Sequence, residues 1–391
     1  MSRREHLQKA ILHRLLFYGR ATRPELVALT RSRAATVFEA IDALKAADLV
    51  VEPERRGKKT GRRAPELECN RDFAAFLGIE LKPDGIIGVV TDSCGDTTES
   101  CEERFAVPNA DAARAGIDRC VTELRHRIGD KWELIKGVGF ADPGIVDIDR
   151  EVAVRATGIP GWEDFAVGKW LAERCGVPAG VWSGRMVRTR MEYIARLADA
   201  PESLFLLDTG SVVGGGFIKG GRLFVGSSGQ AMEIGHLVVE KNGGVCPCGN
   251  RGCLETLISR EGILNSVRRA LDNGVATELA AEDFSIRRFV ECAHRDKAAR
   301  LIAVEVAEHI GDALAAAVAL LNPAMIVVSG ELAGLGNLLT DAIRRILERN
   351  CFADAVRKIK LELSTLDIED TARGAALMIR DRVFGIEERE F

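Results

Sequence analysis

His236 stands ten residues ahead of a tight cysteine cluster: G-Q-A-M-E-I-G-H, a nine-residue spacer, then C-P-C-G-N-R-G-C-L-E, which carries Cys246, Cys248 and Cys253. One imidazole and three thiols form the borderline-to-soft donor set that tetrahedral zinc prefers. Four protein ligands leave no open coordination position, so the expected metal is structural, not catalytic. Such a cluster needs a short, sharply folded loop. Pro247, Gly249 and Gly252 supply the turn chemistry that brings three sulfurs to one point. Zn2+ is the expected cofactor.

The motif has a second use. E-I-G-H followed by C-x-C-G-x-x-G-C-x-E resembles the signature of the ROK family, which comprises repressors, uncharacterised open reading frames and sugar kinases. The resemblance implies an α/β, two-lobed, actin/hexokinase-like body. It also implies that Glu233, His236 and Glu255 hold sugar hydroxyls, with one imidazole nitrogen of His236 on zinc and the other on the sugar. A metal-held imidazole has a fixed orientation, which suits it to that task.

The chain has 391 residues, 47% hydrophobic and 29% charged, enough for more than one domain. No apolar run reaches the ~18 residues of a membrane-spanning helix. The start, M-S-R-R-E-H, carries no apolar signal core, so a cytoplasmic location is expected and no membrane partner. In a reducing compartment the remaining cysteines (Cys69, Cys94, Cys101, Cys120, Cys175, Cys292, Cys351) read as scattered small hydrophobes.

Charge divides the chain. Residues 1–70 hold 15 Lys/Arg against 9 Asp/Glu, a net of +6; the rest hold 39 against 49, a net of −10. A basic head on an acidic body suits a polyanionic partner for the head alone. Within the head, Leu7, Ile11, Leu12, Leu15 and Leu16 fall at helical spacing, and Gly19 ends that helix. Thr22 and Pro24 open a second helix. A third runs from about Ser32, its expected cap, through Ala46, with Val37, Ile41 and Leu44 on its apolar face. L-V-V-E and P-E-L-E-C-N then flank a basic glycine-containing tip, which reads as a β-hairpin wing. The whole is a winged helix-turn-helix. Its third helix is expected in the major groove, with Arg31, Ser32, Arg33, Thr36 and Val37 facing the bases. Arg55, Arg56, Lys58, Lys59, Arg62 and Arg63 of the tip would contact phosphate. The head is also similar to that of ROK repressors, down to the G-R-R-x-P ending of the wing.

Downstream, strand and helix patterns repeat twice, as expected for two similar lobes with a cleft. A first meander takes in F-L-G-I-E-L, I-I-G-V-V-T-D and a third strand near Arg104–Val107. A second comprises L-F-L-L-D-T-G, G-G-G-F-I-K-G-G-R-L and L-V-V-E. The expected domains are a head at 1–70, a first lobe at 71–180 joined by the helix at 370–391, and a second lobe at 181–369 with the zinc loop and a dimerisation surface.

A phosphotransferring member of the family would need two glycine loops and an Asp base. The family's first loop, D-x-G-G-T, corresponds here to Glu80, Leu81, Lys82, Pro83 and Asp84. The second reads Gly210, Ser211, Val212, Val213, Gly214, Gly215, Gly216, just after Asp208, with Val212 in place of its middle glycine. The family's Asn-Asp pair eight residues before a Glu becomes Ser183 and Gly184 before Glu192. A further family Asn becomes Gly158 in T-G-I-P-G-W. Asp164 is the nearest upstream Asp to serve as a displaced base. These departures predict no catalytic residues.

The sequence therefore reads as a transcriptional regulator, a repressor of carbohydrate-related genes. Its partners would be operator DNA, a sugar-like effector in the cleft and further copies of itself, as dimer or tetramer. The alternatives are a sugar kinase with an unusual base and a regulator controlled by a protein partner.

Overall fold

A computed structural model describes residues 3–53, 65–156, 158–209 and 213–386. The chain divides into two compact units, Met1–Ile194 with Asp367–Phe391, and Ala195–Leu366.

The first unit begins with α1 (Arg3–Tyr18), β1 (Ala21–Thr22), α2 (Arg23–Thr30), α3 (Ala34–Ala46), β2 (Val50–Val51) and β3 (Glu66–Cys69). The strands form a small antiparallel sheet in the order β1-β3-β2. Leu7, Ile11, Leu15, Leu26, Val37, Ile41, Leu44 and Leu67 close one apolar core beneath it. Thr22 and Glu25 make a reciprocal capping box at the start of α2, with Pro24 in the first turn. Arg31, at φ 48°, ends α2 in the left-handed conformation. Ser32 does not cap α3. Its hydroxyl donates to the Thr30 carbonyl at 3.1 Å, and Arg33 holds the N-cap position without a side-chain bond. The basic tip, with Arg55, Arg56, Lys58, Lys59, Arg62 and Arg63, lies outside the described residues.

The body of this unit adds β4 (Ala75–Lys82), β5 (Gly85–Asp92), β6 (Thr97–Arg104), α4 (Ala110–Ile128), β7 (Ile135–Asp142), β8 (Ile145–Asp147), β9 (Val152–Arg155), β10 (Glu163–Phe165), α5 (Val167–Cys175), β11 (Ala179–Ser183) and α6 (Gly184–Ile194). Its main sheet runs β11-β7-β4-β5-β6, with β4, β5 and β6 antiparallel and β7 and β11 parallel to β4. The third strand of the meander is Thr97–Arg104, earlier than the stretch around Arg104–Val107, because T-T-E-S-C-E-E-R is a half-wet edge strand.

The second unit contains β12 (Ser203–Thr209), β13 (Val213–Lys219), β14 (Arg222–Leu223), α7 (Glu255–Ile258), α8 (Arg260–Asp272), α9 (Ile286–Ala293), α10 (Lys297–Leu321), β15 (Met325–Ser329), α11 (Asn337–Asn350), α12 (Ala353–Val356) and β16 (Lys360–Leu363). Its sheet runs β14-β13-β12-β15-β16. Both units thus repeat one pattern, an antiparallel meander followed by two parallel strands. Leu237–Glu240 does not join this meander; Val238 makes only a single bridge to Cys253.

The chain then returns to the first unit as α13 (Asp370–Val383). Its backbone lies directly on the strands. A Cβ at Gly78 would sit 1.9 Å from the Ala372 carbonyl oxygen, and one at Gly139 1.9 Å from that of Ala375. The glycines of F-L-G-I and G-V-G-F exist for this approach. The lobe boundary falls at 194/195 and not at 180/181, because β11 pairs with β7 and α6 packs on α13.

The head is fastened to this lobe. Leu12, Cys69 and Ile386 share a small apolar cluster with Leu16, Phe17, Cys94 and Phe384. Asp381, 2% exposed, accepts from Arg190 and from Arg380, each at 2.7 Å. The Phe17 ring lies 5.6 Å and 5.5 Å from those two guanidiniums. No helix among the described residues is long and apolar enough to cross a membrane.

Candidate metal centre and ligand site

His236, Cys246, Cys248 and Cys253 converge. One donor atom from each lies within 4.8 Å of all the others. His236 Nδ1 is 3.6 Å from Cys246 Sγ, and Cys248 Sγ is 3.7 Å from Cys253 Sγ. Zn–S bonds of ~2.3 Å at tetrahedral angles put neighbouring donors at about this separation. The donor chemistry and the spacing both fit zinc.

The loop explains how short-range sequence builds the cluster. Cys246 N–H donates to the Asn250 carbonyl at 2.8 Å, and Gly249 N–H returns to that of Cys246 at 2.9 Å. Gly252, at φ 74°, presses against residue 240; a Cβ there would fall 1.6 Å from the Glu240 oxygen. Val239 N–H donates to Gly252 and Leu254 N–H to Leu237, which ties both ends of the loop together. Cys246 and Cys253 are buried and Cys248 is exposed. Burial pushes the Cys253 thiol up to about 12, with the neighbouring sulfurs adding to it.

The sugar-contact candidates lie on the same unit. Glu255 opens α7, and its Oε2 is 3.7 Å from His236 Nδ1. The side chains of His236 and Glu255 are 36% and 19% exposed, so both retain access to a ligand. Glu233 precedes the single 3-10 turn Ile234–His236, and its carbonyl accepts from His236 N–H at 3.0 Å. The ring nitrogen of His236 that faces Cys246 Sγ is Nδ1.

The first unit carries the departures. Pro83 and Asp84 make the two-residue turn between β4 and β5, where Lys82 pairs with Gly85. Pro83 offers no N–H, and its carbonyl accepts from Val107. A Cβ at Gly158 would meet Pro83 Cγ at 3.3 Å, so two departures adjoin each other. Ser183 ends β11, and its hydroxyl accepts from Met186 N–H at 3.3 Å. Gly184 opens α6, and Glu192 is fully buried farther along it. Asp164 is exposed at φ 46° on β10. In the second unit Asp208 accepts from Ser329 Oγ at 2.8 Å, while Gly210–Val212 lie outside the described residues.

One residue escaped the sequence reading. Asp142, in A-D-P-G, is the sheet partner of Ser183 and is fully buried. Its two oxygens accept from Trp162 Nε1 and Gly144 N–H, both at 2.7 Å. The Asp-Pro-Gly turn at a strand end was the available signal. Burial pushes this carboxyl up to about 6, against the two donated bonds. An unfolded Asp releases its proton near 3.8, so between about 3.8 and 6 the folded chain holds more protons than the unfolded chain. This group's contribution is therefore fully present below 3.8 and is lost as pH rises toward 6. The loss is on the order of 3 kcal/mol. Urea unfolding at stepped pH is expected to show a shallower slope over that window in Asp142→Asn than in wild type; identical slopes would refute the assignment.

In the head, Arg31 and Arg33 are exposed and Ser32 and Thr36 half-buried at the start of α3. Val37 cannot reach a groove. It is fully buried in the head core, as the apolar spacing of α3 requires. The solvent face beside it carries Ala34, Ala35 and Phe38 instead.

Residues 76–382 match the sequence profile of the ROK family. The chain belongs to the ROK family. It is 25% identical to a putative xylose repressor of Caldicellulosiruptor sp. (strain Rt8B.4), over 94% of each chain. A crystal structure of a ROK family transcriptional regulator, described as a homolog of E. coli MLC protein, superposes with a TM-score of 0.84 at 21% identity, covering 97% of this chain and 98% of that one. A ROK family glucokinase from Streptomyces griseus, solved with glucose and AMPPNP, gives a TM-score of 0.67 at 24% identity and covers 78% of this chain and 98% of its own. The two-unit body is thus the ROK fold. Its chemistry has to be argued from the residues.

Proposed function

We propose that this ROK protein is a DNA-binding transcriptional repressor of carbohydrate-related genes, released or engaged by a sugar-like effector, and that it transfers no phosphate. The observation that carries the reading is the basic three-helix head, with exposed Arg31 and Arg33 at the start of α3. The similarity to a regulator spans this head, whereas the similarity to the glucokinase covers 78% of the chain. The head is a winged helix-turn-helix that lays α3 in the major groove, while the cations of its tip neutralise phosphates. Dimerisation pairs two heads on a two-fold operator.

The effector is held by Glu233, His236 and Glu255. Zn2+ on His236, Cys246, Cys248 and Cys253 supplies no chemistry beyond fixing the imidazole and the loop. Gly158, Ser183 and Gly184 stand where the family motifs carry Asn and Asp, so the first unit offers a hydroxyl fewer polar partners than a kinase of the family would.

Loss of catalysis rests on chemistry. Glycine at 184 accepts no proton, and Pro83 gives no N–H to a phosphate. Asp142, the sheet partner of Ser183, is fully buried and bonded to Trp162 and Gly144, which holds it away from solvent. A missing base alone costs ~10²–10⁴-fold in rate. The test is a thermal-shift screen of zinc-loaded protein against sugars, sugar phosphates and polyols, with and without ATP. A ligand at 100 times its Kd adds about 2.7 kcal/mol of stability. A shift independent of ATP, with the ligand unconsumed, supports the proposal. ATP-dependent consumption of a sugar would make the protein a kinase, and silence across the panel would point to control by a protein partner.

A further inference from the structure

The cysteines outside the zinc loop are not all scattered. Cys101 lies on β6, the edge strand of the first sheet, and Cys120 on α4 packed against it. Their sulfurs are 3.0 Å apart. Cys101 is half-buried and Cys120 buried. Gly88 on β5 makes room for both, since a Cβ there would come within 2.3 Å of Cys120 Sγ and 3.2 Å of Cys101 Sγ. Arg127, one turn beyond Glu123 on α4, donates to the Ser100 carbonyl at 2.6 Å, which brings a guanidinium beside Cys101. The pair is not a metal site: among the described residues, the His236 cluster is the one group of three or more donors close enough to hold an ion.

We propose that Cys101 and Cys120 form a peroxide-reactive dithiol, in which Cys101 is the attacking nucleophile and Cys120 the resolving thiol. The assignment of roles follows the asymmetry of the pair. Cys101 is the less buried of the two, and its thiol is held below the ordinary range chiefly by the hydrogen bond from Cys120, helped by the Gly88 backbone and Arg127. The hydrogen bond to Cys101 and burial push the Cys120 thiol up. A thiolate is the nucleophile in such chemistry, and reactivity tracks thiolate character and access.

The chemistry balances without any further reagent. The Cys101 thiolate attacks one oxygen of hydrogen peroxide, the O–O bond breaks, and hydroxide leaves to become water. Cys101 is then a sulfenic acid. Cys120 gives up its proton and attacks the Cys101 sulfur; the S–O bond breaks, and hydroxide departs with that proton as a second water. Two thiols are oxidised by two electrons in total, and one peroxide is reduced. The resulting disulfide stitches the edge strand β6 to α4.

The experiment uses full-length, zinc-loaded protein. It is exposed to graded hydrogen peroxide, cleared with catalase, blocked with N-ethylmaleimide under denaturing conditions and mapped by non-reducing peptide mass spectrometry. The expected product is a cross-linked peptide joining Cys101 and Cys120. It appears at doses that leave bound zinc unchanged, it disappears with dithiothreitol, and the oxidised protein melts at a higher temperature. In Cys120→Ala, dimedone is expected to trap the sulfenic acid on Cys101. In Cys101→Ser, Cys120 is expected to remain fully labelled. The proposal is overturned if wild-type Cys101 and Cys120 both stay fully labelled at doses that oxidise the zinc thiols. It is equally overturned if Cys101 advances to sulfinic acid while Cys120 stays labelled. The wild-type map decides even where a variant fails to fold.

Discussion

Cys253→Ser is expected to strip the zinc and open the loop between residues 237 and 254. Cys253 is fully buried at the centre of the donor set, and serine is a far poorer ligand for a borderline metal. The loop's own backbone bonds are short-range: Val239 and Glu240 to Gly252 and Leu254 to Leu237 at its base, Gly243 to Glu240 and Gly252 to Gly244 along it, and the Cys246–Asn250 turn at its tip. Structural zinc in small domains contributes ~10–16 kcal/mol of apparent folding free energy. Here most of the fold stands without it, so the cost falls on the loop and on Glu255, which begins the helix immediately after it. The expected result is near-zero zinc by metal analysis and a melting temperature lower by on the order of 10 °C. Response to the effector should vanish as well, because His236 loses its tether. Retention of the metal with unchanged melting would sink the zinc assignment.

Arg31→Ala together with Arg33→Ala is expected to abolish tight DNA binding while leaving the body intact. Both side chains are exposed at the turn between α2 and α3, away from the head core. A base-contacting arginine is worth ~1–3 kcal/mol and a phosphate contact about one unit of salt slope. The double variant should therefore bind on the order of 10²–10³-fold more weakly, with a melting temperature close to wild type. Unchanged affinity would mean that the groove-reading face lies elsewhere on the head.

These two predictions rest on features of unequal legibility. The donor set was readable because zinc ligation demands particular residue types at close spacing, and the loop satisfies that demand locally. The head helices were readable because Leu7, Ile11 and Leu15, and Val37, Ile41 and Leu44, repeat with the helical period and do form its core. That same burial is why Val37 had to be withdrawn from the DNA-facing set: one side chain cannot serve both faces of α3. The edge strand β6 was misplaced because its solvent side is polar, so no apolar alternation marks it. Leu237–Glu240 misled in the opposite way. It is apolar and β-branched, yet its backbone serves the cysteine loop, a tertiary demand that propensity does not register. The lobe boundary was missed because β11 is specified by its pairing with β7, a contact far apart in sequence. The Cys101–Cys120 pair was invisible for the same reason, since its members are 19 residues apart on a strand and on the helix packed against it; Asp142 had a local signal in its Asp-Pro-Gly turn, but its Trp162 partner is 20 residues away.

The proposed function requires a head that reads DNA on a body that transfers no phosphate. The most direct test is selection from a randomised duplex library by zinc-loaded, full-length protein, followed by titration of the enriched sequence at several salt concentrations. The expected result is enrichment of a two-fold symmetric site whose affinity falls steeply with salt and is altered by a sugar-class ligand without ATP. Absence of any enriched sequence, together with ATP-dependent phosphorylation of a sugar, would contradict the account.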